Sequence, residues 1–140
     1  MGTTKIDVAN ALFAILSPFH LIGDGALRGV KHIYTEGCLD KIVLEFDTTS
    51  LLVKADENDD SVDFKVTETG DFGGADMVDA SHLEPWNNFI GKPFGWGWVT
   101  VNQQGYCDGL LLSFEDITPR LMLNVIASSI EVGLIGWISN

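Results

Sequence analysis

Positive charge is what this 140-residue sequence has least of. It contains 8 Lys and Arg residues against 20 Asp and Glu residues, which gives a formal net charge of −12. The bases are scattered singly, so no stretch is typical of a nucleic-acid-binding surface. A net negative charge also repels nucleic acid and the anionic face of a membrane. We therefore predict that the protein binds neither.

Cysteines and long apolar runs are also scarce. Cys38 and Cys107 are the two cysteines, and a distant pair without repeated spacing is typical of a reducing compartment. The most apolar stretch, residues 8–22, follows Asp7 and is interrupted by Pro18. That stretch is too short to span a bilayer and differs from a secretory signal. These features predict a cytoplasmic protein.

Sequence motifs of common catalytic and cofactor sites are missing. There is no Gly-x-Ser-x-Gly, Walker A or dinucleotide-binding fingerprint. His20, His32 and His82 form no HExxH pair, and no Cys-x-x-Cys follows His82 as a zinc deaminase would require. We predict a non-enzymatic protein with no catalytic residues and no cofactor.

One acidic turn partly matches a calcium-binding loop. Asp56, Asn58 and Asp60 stand at its first, third and fifth positions. Ser61 and Thr67 stand where the loop needs Gly and a bidentate Glu. The turn therefore predicts a hairpin connection with solvated carboxylates, and no metal site.

The length and a hydrophobic content of 46% indicate a single globular domain over residues 1–140. A helix is predicted over residues 8–16, capped by Asp7 and stopped by Pro18. Apolar alternation predicts strands over 29–35, 41–46, 49–55, 61–67, 94–101, 109–114 and 120–127. Residues 129–138 are either a last strand or a short helix, and their β-branched content favours the strand. Residues 70–80 read as a loop and 84–90 as one or two helical turns. The predicted fold is α+β, an N-terminal helix packed on a twisted or partly closed antiparallel sheet of six to eight strands.

Acidic residues concentrate in segment 56–84, which holds ten of them against Lys65 alone and carries −9 of the net −12. Such a segment either keeps the protein dissolved or attracts a cationic partner. Carboxylates along a loop can take the places of phosphates and pair with arginine. The sequence therefore predicts a cationic protein partner. The predicted partner-binding residues are Asp56, Glu57, Asp59, Asp60, Asp63, Asp71, Asp76 and Asp79, with Trp86 and Phe89 as aromatic anchors.

An aromatic hairpin is the second candidate site. Trp96 and Trp98 fall on one face of a predicted strand, and a tight turn follows it. Core packing is the ordinary role of such a face, whereas stacking and amide groups together would suit a ligand. The residues of this ligand hypothesis are Trp96, Trp98, Asn102, Gln103, Gln104, Tyr106 and Asp108.

The size, the acidic segment 56–84 and the aromatic residues Trp86 and Phe89 resemble small acidic immunity proteins of bacterial polymorphic-toxin and contact-dependent growth inhibition systems. The Trp-x-Trp strand followed by Asn-Gln-Gln-Gly-Tyr-x-Asp, residues 96–108, also resembles an uncharacterised bacterial α+β family. The first resemblance implies direct binding to a cognate toxin, such as a nuclease domain, and implies no catalytic residues.

Two alternative functions stay open. One is a small-molecule-binding protein or an enzyme built around the hairpin 96–108. The other is a subunit of a cytosolic homo-oligomer, such as a homodimer, in which the apolar residues 132–138 pair with their copy.

Overall fold

The computed structural model describes residues 5–56, 58–68 and 76–135. Its elements in chain order are α1 (Lys5–Ile22), β1 (Leu27–Thr35), β2 (Cys38–Phe46), β3 (Ser50–Ala55), β4 (Val62–Thr67), β5 (Asp76–Asp79), a 3₁₀ helix (Trp86–Asn88), β6 (Phe94–Val101), β7 (Cys107–Phe114), β8 (Leu121–Ile126) and β9 (Ser129–Leu134). The α+β class is confirmed. No helix in these ranges combines the length and the apolar character needed to cross a membrane.

The strands form two antiparallel sheets, so the prediction of a single sheet of six to eight strands is wrong. One sheet has the order β4-β3-β2-β1-β5 and the other β6-β7-β8-β9. The first sheet ends with the short strand β5, which pairs only with residues 31–34 of β1. Residues 80–91 occupy the rest of its edge, where Ala80 N donates to Val30 O and Gly91 N donates to Leu27 O. The next strand therefore starts a second sheet.

The core lies between the two sheets, and α1 closes it along one side. Phe46 of β2 packs edge-on against Phe94 of β6, with ring centroids 5.7 Å apart. Phe19 of α1 stacks on Phe64 of β4 at 5.0 Å. The helix contacts both β4 and β6, the edge strands of their sheets. Covering these edges protects them from pairing with other chains.

Helix α1 continues past Pro18, where the sequence predicts its end. Proline has no N–H to donate to the carbonyl oxygen four residues earlier, which belongs to Ala14. The hydroxyl of Ser17 donates to that oxygen instead, at 2.9 Å. The helix ends at Ile22 and is followed by Gly23, whose φ of +63° is the usual left-handed terminating conformation. The helix begins at Lys5, so Asp7 lies inside it rather than capping it.

Strand β5 is the second correction. The sequence predicts a loop over residues 70–80, yet Asp76–Asp79 pairs with β1. All four residues of β5 are exposed, so they show no alternation of buried and exposed positions. Their strand conformation comes from hydrogen bonding to β1 and not from a buried face.

Trp86 and Phe89 lie in the core, which corrects their assignment as anchors for a partner. Their exposed fractions are 0% and 6%. Trp86 Nε1 donates a hydrogen bond of 2.8 Å to Nε2 of His32, and the Phe89 ring stacks on Phe114 at 4.9 Å. Side chains enclosed in this way offer no surface to another protein.

We expect stability to fall as the pH drops below 6.5, because of His32. Burial lowers the pKa of His32 from its ordinary 6.5. As the pH falls through 6.5, His32 becomes protonated in the unfolded chain but stays neutral in the folded chain. The free energy of unfolding therefore decreases by at most about 1.4 kcal/mol per pH unit. The urea midpoint measured at pH 5.5 should therefore lie below that at pH 7.5.

The exposed His82 supplies the control for this pH effect. His82→Gln should keep the difference between the two midpoints, whereas His32→Gln should reduce it. The shifted carboxylates titrate outside this window, since the pKa of Asp79, for example, is about 2. An unchanged pH dependence in His32→Gln would contradict the assignment.

Candidate functional site: an acidic end formed by four hairpin turns

Four hairpin turns, β1–β2, β3–β4, β6–β7 and β8–β9, lie at one end of the molecule. Alternate turns of an antiparallel meander share an end of their sheet, and side-chain contacts bring the two sheet ends together. Asp60 Oδ1 in the β3–β4 turn accepts a 2.9 Å hydrogen bond from Ser128 N in the β8–β9 turn. Asp63 of β4 and Cys107 of β7 line one shared cavity. We call this region the acidic end. Its described charged residues include Glu36, Asp40, Asp56, Asp59, Asp60, Asp63 and Asp108, together with Lys41, Lys54 and Lys65.

The β3–β4 turn is held by its own carboxylates. Asp56 Oδ1 accepts from Asn58 N at 2.9 Å, and Asp59 Oδ1 accepts from Ser61 N at 3.0 Å. Asp60 has a φ of +57°, a left-handed conformation that Asp and Asn tolerate better than most residues. Asp56 and Asp59 each use one oxygen to shape the turn, whereas Asp60 uses one oxygen to join it to the β8–β9 turn. The turn fixes the positions of three negative charges.

Asp59 remains ionised through a wide pH range. Hydrogen bonds from the side chain and then the backbone of Ser61 lower the pKa of Asp59. A carboxylate stabilised in its charged form by local donors retains its charge at neutral pH. Asp59 therefore contributes a negative charge to the turn at neutral pH.

A recess of about 430 Å³ opens beside the turn, between β2 and β3. Lys41 and Lys54 are cross-strand partners there. Lys41 Nζ lies 3.4 Å from Asp40 Oδ2, and Lys54 has Asp63 as its partner on the other side. Two lysines opposite each other repel, and the flanking carboxylates offset this repulsion. The acidic end thus has a mixed-charge recess inside a rim that is mostly negative.

Asp76 and Asp79, which were also predicted to bind a partner, lie on β5 and not at the acidic end. Asp76 is exposed on β5 opposite Tyr34, on the far edge of the first sheet. Asp79 Oδ1 accepts from Ser81 Oγ at 2.6 Å, and its Oδ2 lies 3.6 Å from Lys31 Nζ. These bonds lower the pKa of Asp79 to about 2 and serve to attach β5 to β1. Glu57 and Asp71 lie outside the described residues.

Three acids of this end, Glu36, Asp40 and Asp108, are absent from the predicted partner-binding residues because they lie outside segment 56–84, and Asp108 was assigned to the ligand hairpin instead. The signal for two of them is in the sequence. The predicted strands 29–35, 41–46, 49–55 and 61–67 form a meander, whose first and third turns must share an end. That rule places Glu36 and Asp40 beside Asp56 to Asp60. Asp108 belongs to the other sheet, and no local pattern places it there.

The tryptophan strand β6 is the second candidate, and its Trp96 side chain does not pack in the core. Trp96 is 57% exposed and Trp98 is half-buried. Their ring centroids are 6.3 Å apart with planes inclined by 34°. The core face of β6 belongs instead to residues such as Phe94 and Val99.

The Asn-Gln-Gln turn does not form one pocket with both tryptophans. Asn102 Oδ1 accepts from Gln104 N at 2.9 Å, so the turn is shaped by its own amide. Gln103 and Gln104 are exposed and Tyr106 is half-buried. Trp96 lies six residues back along an extended strand, roughly 20 Å away. The turn belongs to the acidic end, whereas Trp96 lies toward the opposite end of β6.

Catalytic chemistry gains no support from the cysteine or from metal-binding geometry. Burial raises the pKa of the Cys107 thiol, with nearby Asp108 and Asp63 adding to the effect, and a protonated thiol is a poor nucleophile. Across residues 5–56, 58–68 and 76–135 no group of three His, Cys, Asp or Glu side chains is arranged to hold a metal ion.

Comparison with known proteins gives a family but no activity. Neither the curated proteins nor the solved structures contain a match to this sequence. The resemblance to immunity proteins therefore stays a prediction. A family model described as a family of unknown function, DUF6334, matches residues 14–139. This match covers most of the sequence, and the chain therefore belongs to the DUF6334 family.

Proposed function

We propose that this protein is a non-enzymatic binding protein whose acidic end docks on a cationic protein surface. The observation that supports the proposal is the convergence of four turns, which gathers seven described carboxylates around Lys41, Lys54 and Lys65 at one end. More specifically, we propose that the partner is the nuclease domain of a bacterial toxin and that this protein is the immunity protein that neutralises it.

The hydrogen bonds of Asp56, Asp59 and Asp60 favour binding over mere solubility. A solubilising surface needs charge but no fixed geometry. Here Asp56, Asp59 and Asp60 are each held by a backbone N–H, and the Asp60 bond joins the two sheets. Charges that are already positioned lose less side-chain entropy when a partner binds. A carboxylate can accept more than one hydrogen bond, so each of these side chains can also accept from a guanidinium or ammonium group.

Replacement of the three aspartates by asparagine gives a sharp test. An asparagine side-chain oxygen can accept the same backbone N–H bond and tolerates the left-handed conformation of residue 60. Asp56→Asn, Asp59→Asn and Asp60→Asn together should therefore retain the turn while removing three charges. We expect a basic protein captured from native lysate by the wild type at low salt to associate about tenfold more slowly with the variant, because steering by charge is lost.

A charge-matched variant at the opposite end is the control. Asp24, Glu84 and Glu115 are exposed there, and Asp24→Asn, Glu84→Gln and Glu115→Gln together remove the same charge. This variant should associate at nearly the wild-type rate. Association with the wild type should also slow steeply between 50 and 500 mM salt. Equal rates for both triple variants, or rates indifferent to salt, would contradict the proposal.

The immunity function requires one further result. If the captured protein is a nuclease, the wild type should inhibit its cleavage of DNA or RNA, and the acidic-end variant should inhibit it less at equal concentration. If the wild type leaves the activity of the captured basic protein unchanged, the docking proposal stands and the immunity proposal is wrong.

A further inference from the structure

The outer face of the second sheet carries an apolar row whose side chains are only partly buried. Trp98, Leu111, Met122 and Gly133 are successive cross-strand partners on β6, β7, β8 and β9. Cross-strand partners project from the same face of a sheet. Trp96 extends the row toward one end with its 57% exposed side chain. A methyl group at Gly133 would meet no atom within 4 Å, so the row is open to solvent at this position.

Trp96 is held in place by the backbone around it. The register of β6 shifts between Phe94 and Gly97, where Gly95 and Trp96 form a bulge against β7. Ser113 Oγ, which is fully buried, accepts a 2.7 Å hydrogen bond from Trp96 N and donates to Asp116 O at 2.7 Å. Bulges commonly direct a side chain to a particular position. The indole is thus presented to solvent from a fixed backbone.

The charges on this face are mostly negative, since Arg120, two residues before Met122 in the same ladder, is paired with Asp116. Strands β6 to β9 contain no Lys or Arg, and their only acids are Asp108 and Glu131. Asp108 accepts a 2.7 Å hydrogen bond from Thr100, which lies two residues beyond Trp98, about 7 Å along the strand. Because Asp108 also belongs to the acidic end, the Trp98 side of this face adjoins the surface proposed to dock, and Trp96 lies about 7 Å farther along the strand.

We propose that Trp96 and Trp98 form a stacking platform for an arginine side chain of the cationic protein that docks on the acidic end. This inference rests on the proposed function and names the chemistry of its partner. The face of an indole ring attracts cations, and the planar guanidinium of arginine also stacks on it. A strongly hydrated lysine ammonium lacks the stacking contribution. The platform therefore selects arginine over lysine, whereas the acidic end attracts both.

Octa-arginine and octa-lysine peptides test this selectivity, since they carry the same charge. The resonances of the Trp96 and Trp98 indole N–H groups are assigned from Trp96→Leu and Trp98→Leu variants and followed by NMR during titration. Octa-arginine should shift both resonances and bind about tenfold more tightly than octa-lysine. In Trp96→Leu that preference should shrink to less than about twofold, with octa-lysine affinity unchanged. Val101→Ala is the control, since Val101 is 59% exposed on the same strand, and it should retain the preference.

Each other result identifies which proposal fails. Equal binding of the two peptides, unaffected by Trp96→Leu but weakened by the asparagine triple variant, would overturn the platform and leave the acidic-end proposal standing. A wild-type protein that binds neither peptide would overturn both. If octa-arginine leaves the two indole resonances in place while a neutral oligosaccharide such as cellotetraose shifts them, the platform binds an uncharged ligand and the arginine proposal is wrong.

Discussion

Trp86→Ala should remove about 4 kcal/mol from the free energy of unfolding, the largest loss that we expect from a single substitution in this chain. The Trp86 side chain is fully buried, and its indole N–H is bonded to the buried His32. The substitution both leaves a cavity and deprives the His32 acceptor of its donor. Since domains of this size are stable by about 5–15 kcal/mol, the loss is readily measured by urea denaturation followed by circular dichroism.

Two further variants separate the cavity from the hydrogen bond. Trp86→Phe keeps an aromatic ring but leaves His32 Nε2 without its donor, which should cost about 2 kcal/mol. Adding His32→Leu to Trp86→Phe removes the unsatisfied acceptor, so the double variant should be more stable than Trp86→Phe alone. A Trp86→Ala protein within 1 kcal/mol of the wild type would show that Trp86 is not a core residue, and would restore its assignment as a surface anchor.

The strand positions could be predicted from the sequence because alternation is a local signal. Residues 61–67 alternate cleanly, and the structure has β4 at Val62–Thr67 with Val62 buried and Asp63 exposed. Strand β6 also has the predicted bounds, 94–101, although the bulge at Gly95 and Trp96 breaks its alternation and puts Phe94 and Trp96 on opposite faces. Alternation tells which face of a strand is buried, but it does not tell which strands are neighbours. The division into two sheets depends on residues 80–91 covering the edge of β1, a long-range contact without a local pattern.

The candidate site could be predicted only in part for the same reason. The acidic turn is visible in the sequence because its charges are contiguous, from Asp56 to Asp60. The acidic turn and Asp108 lie at the same end of the molecule only because the two sheets pack together. Trp86 was misassigned because aromatic residues in a polar segment are typical both of interface anchors and of core contacts. The bond from Trp86 to His32, 54 positions apart, decides between these roles.

Gly95→Ala should destabilise the protein by about 3 kcal/mol, at the upper end of the cost of overpacking. A methyl group at Gly95 would collide with the backbone carbonyl oxygen of Asp116 and would lie 2.5 Å from Ser113 Oγ. Because a backbone atom cannot move without displacing its strand or turn, relief requires the β6 bulge to shift. The urea midpoint should fall, and the Trp96 indole resonance should move, since Ser113 also holds the backbone of Trp96.

Gly133→Ala is the matched control, because the same methyl group is added to a strand of the same sheet. Nothing lies within 4 Å of that position and its backbone conformation is one that alanine adopts. Reduced freedom of the unfolded chain should make this variant equal to the wild type or more stable by up to about 1 kcal/mol. If Gly95→Ala were equally benign, the bulge would tolerate a side chain, and Trp96 would not be held by the tight packing of residues 95, 113 and 116. The stacking platform would then need to be ordered by its ligand, and the preference for arginine should weaken accordingly.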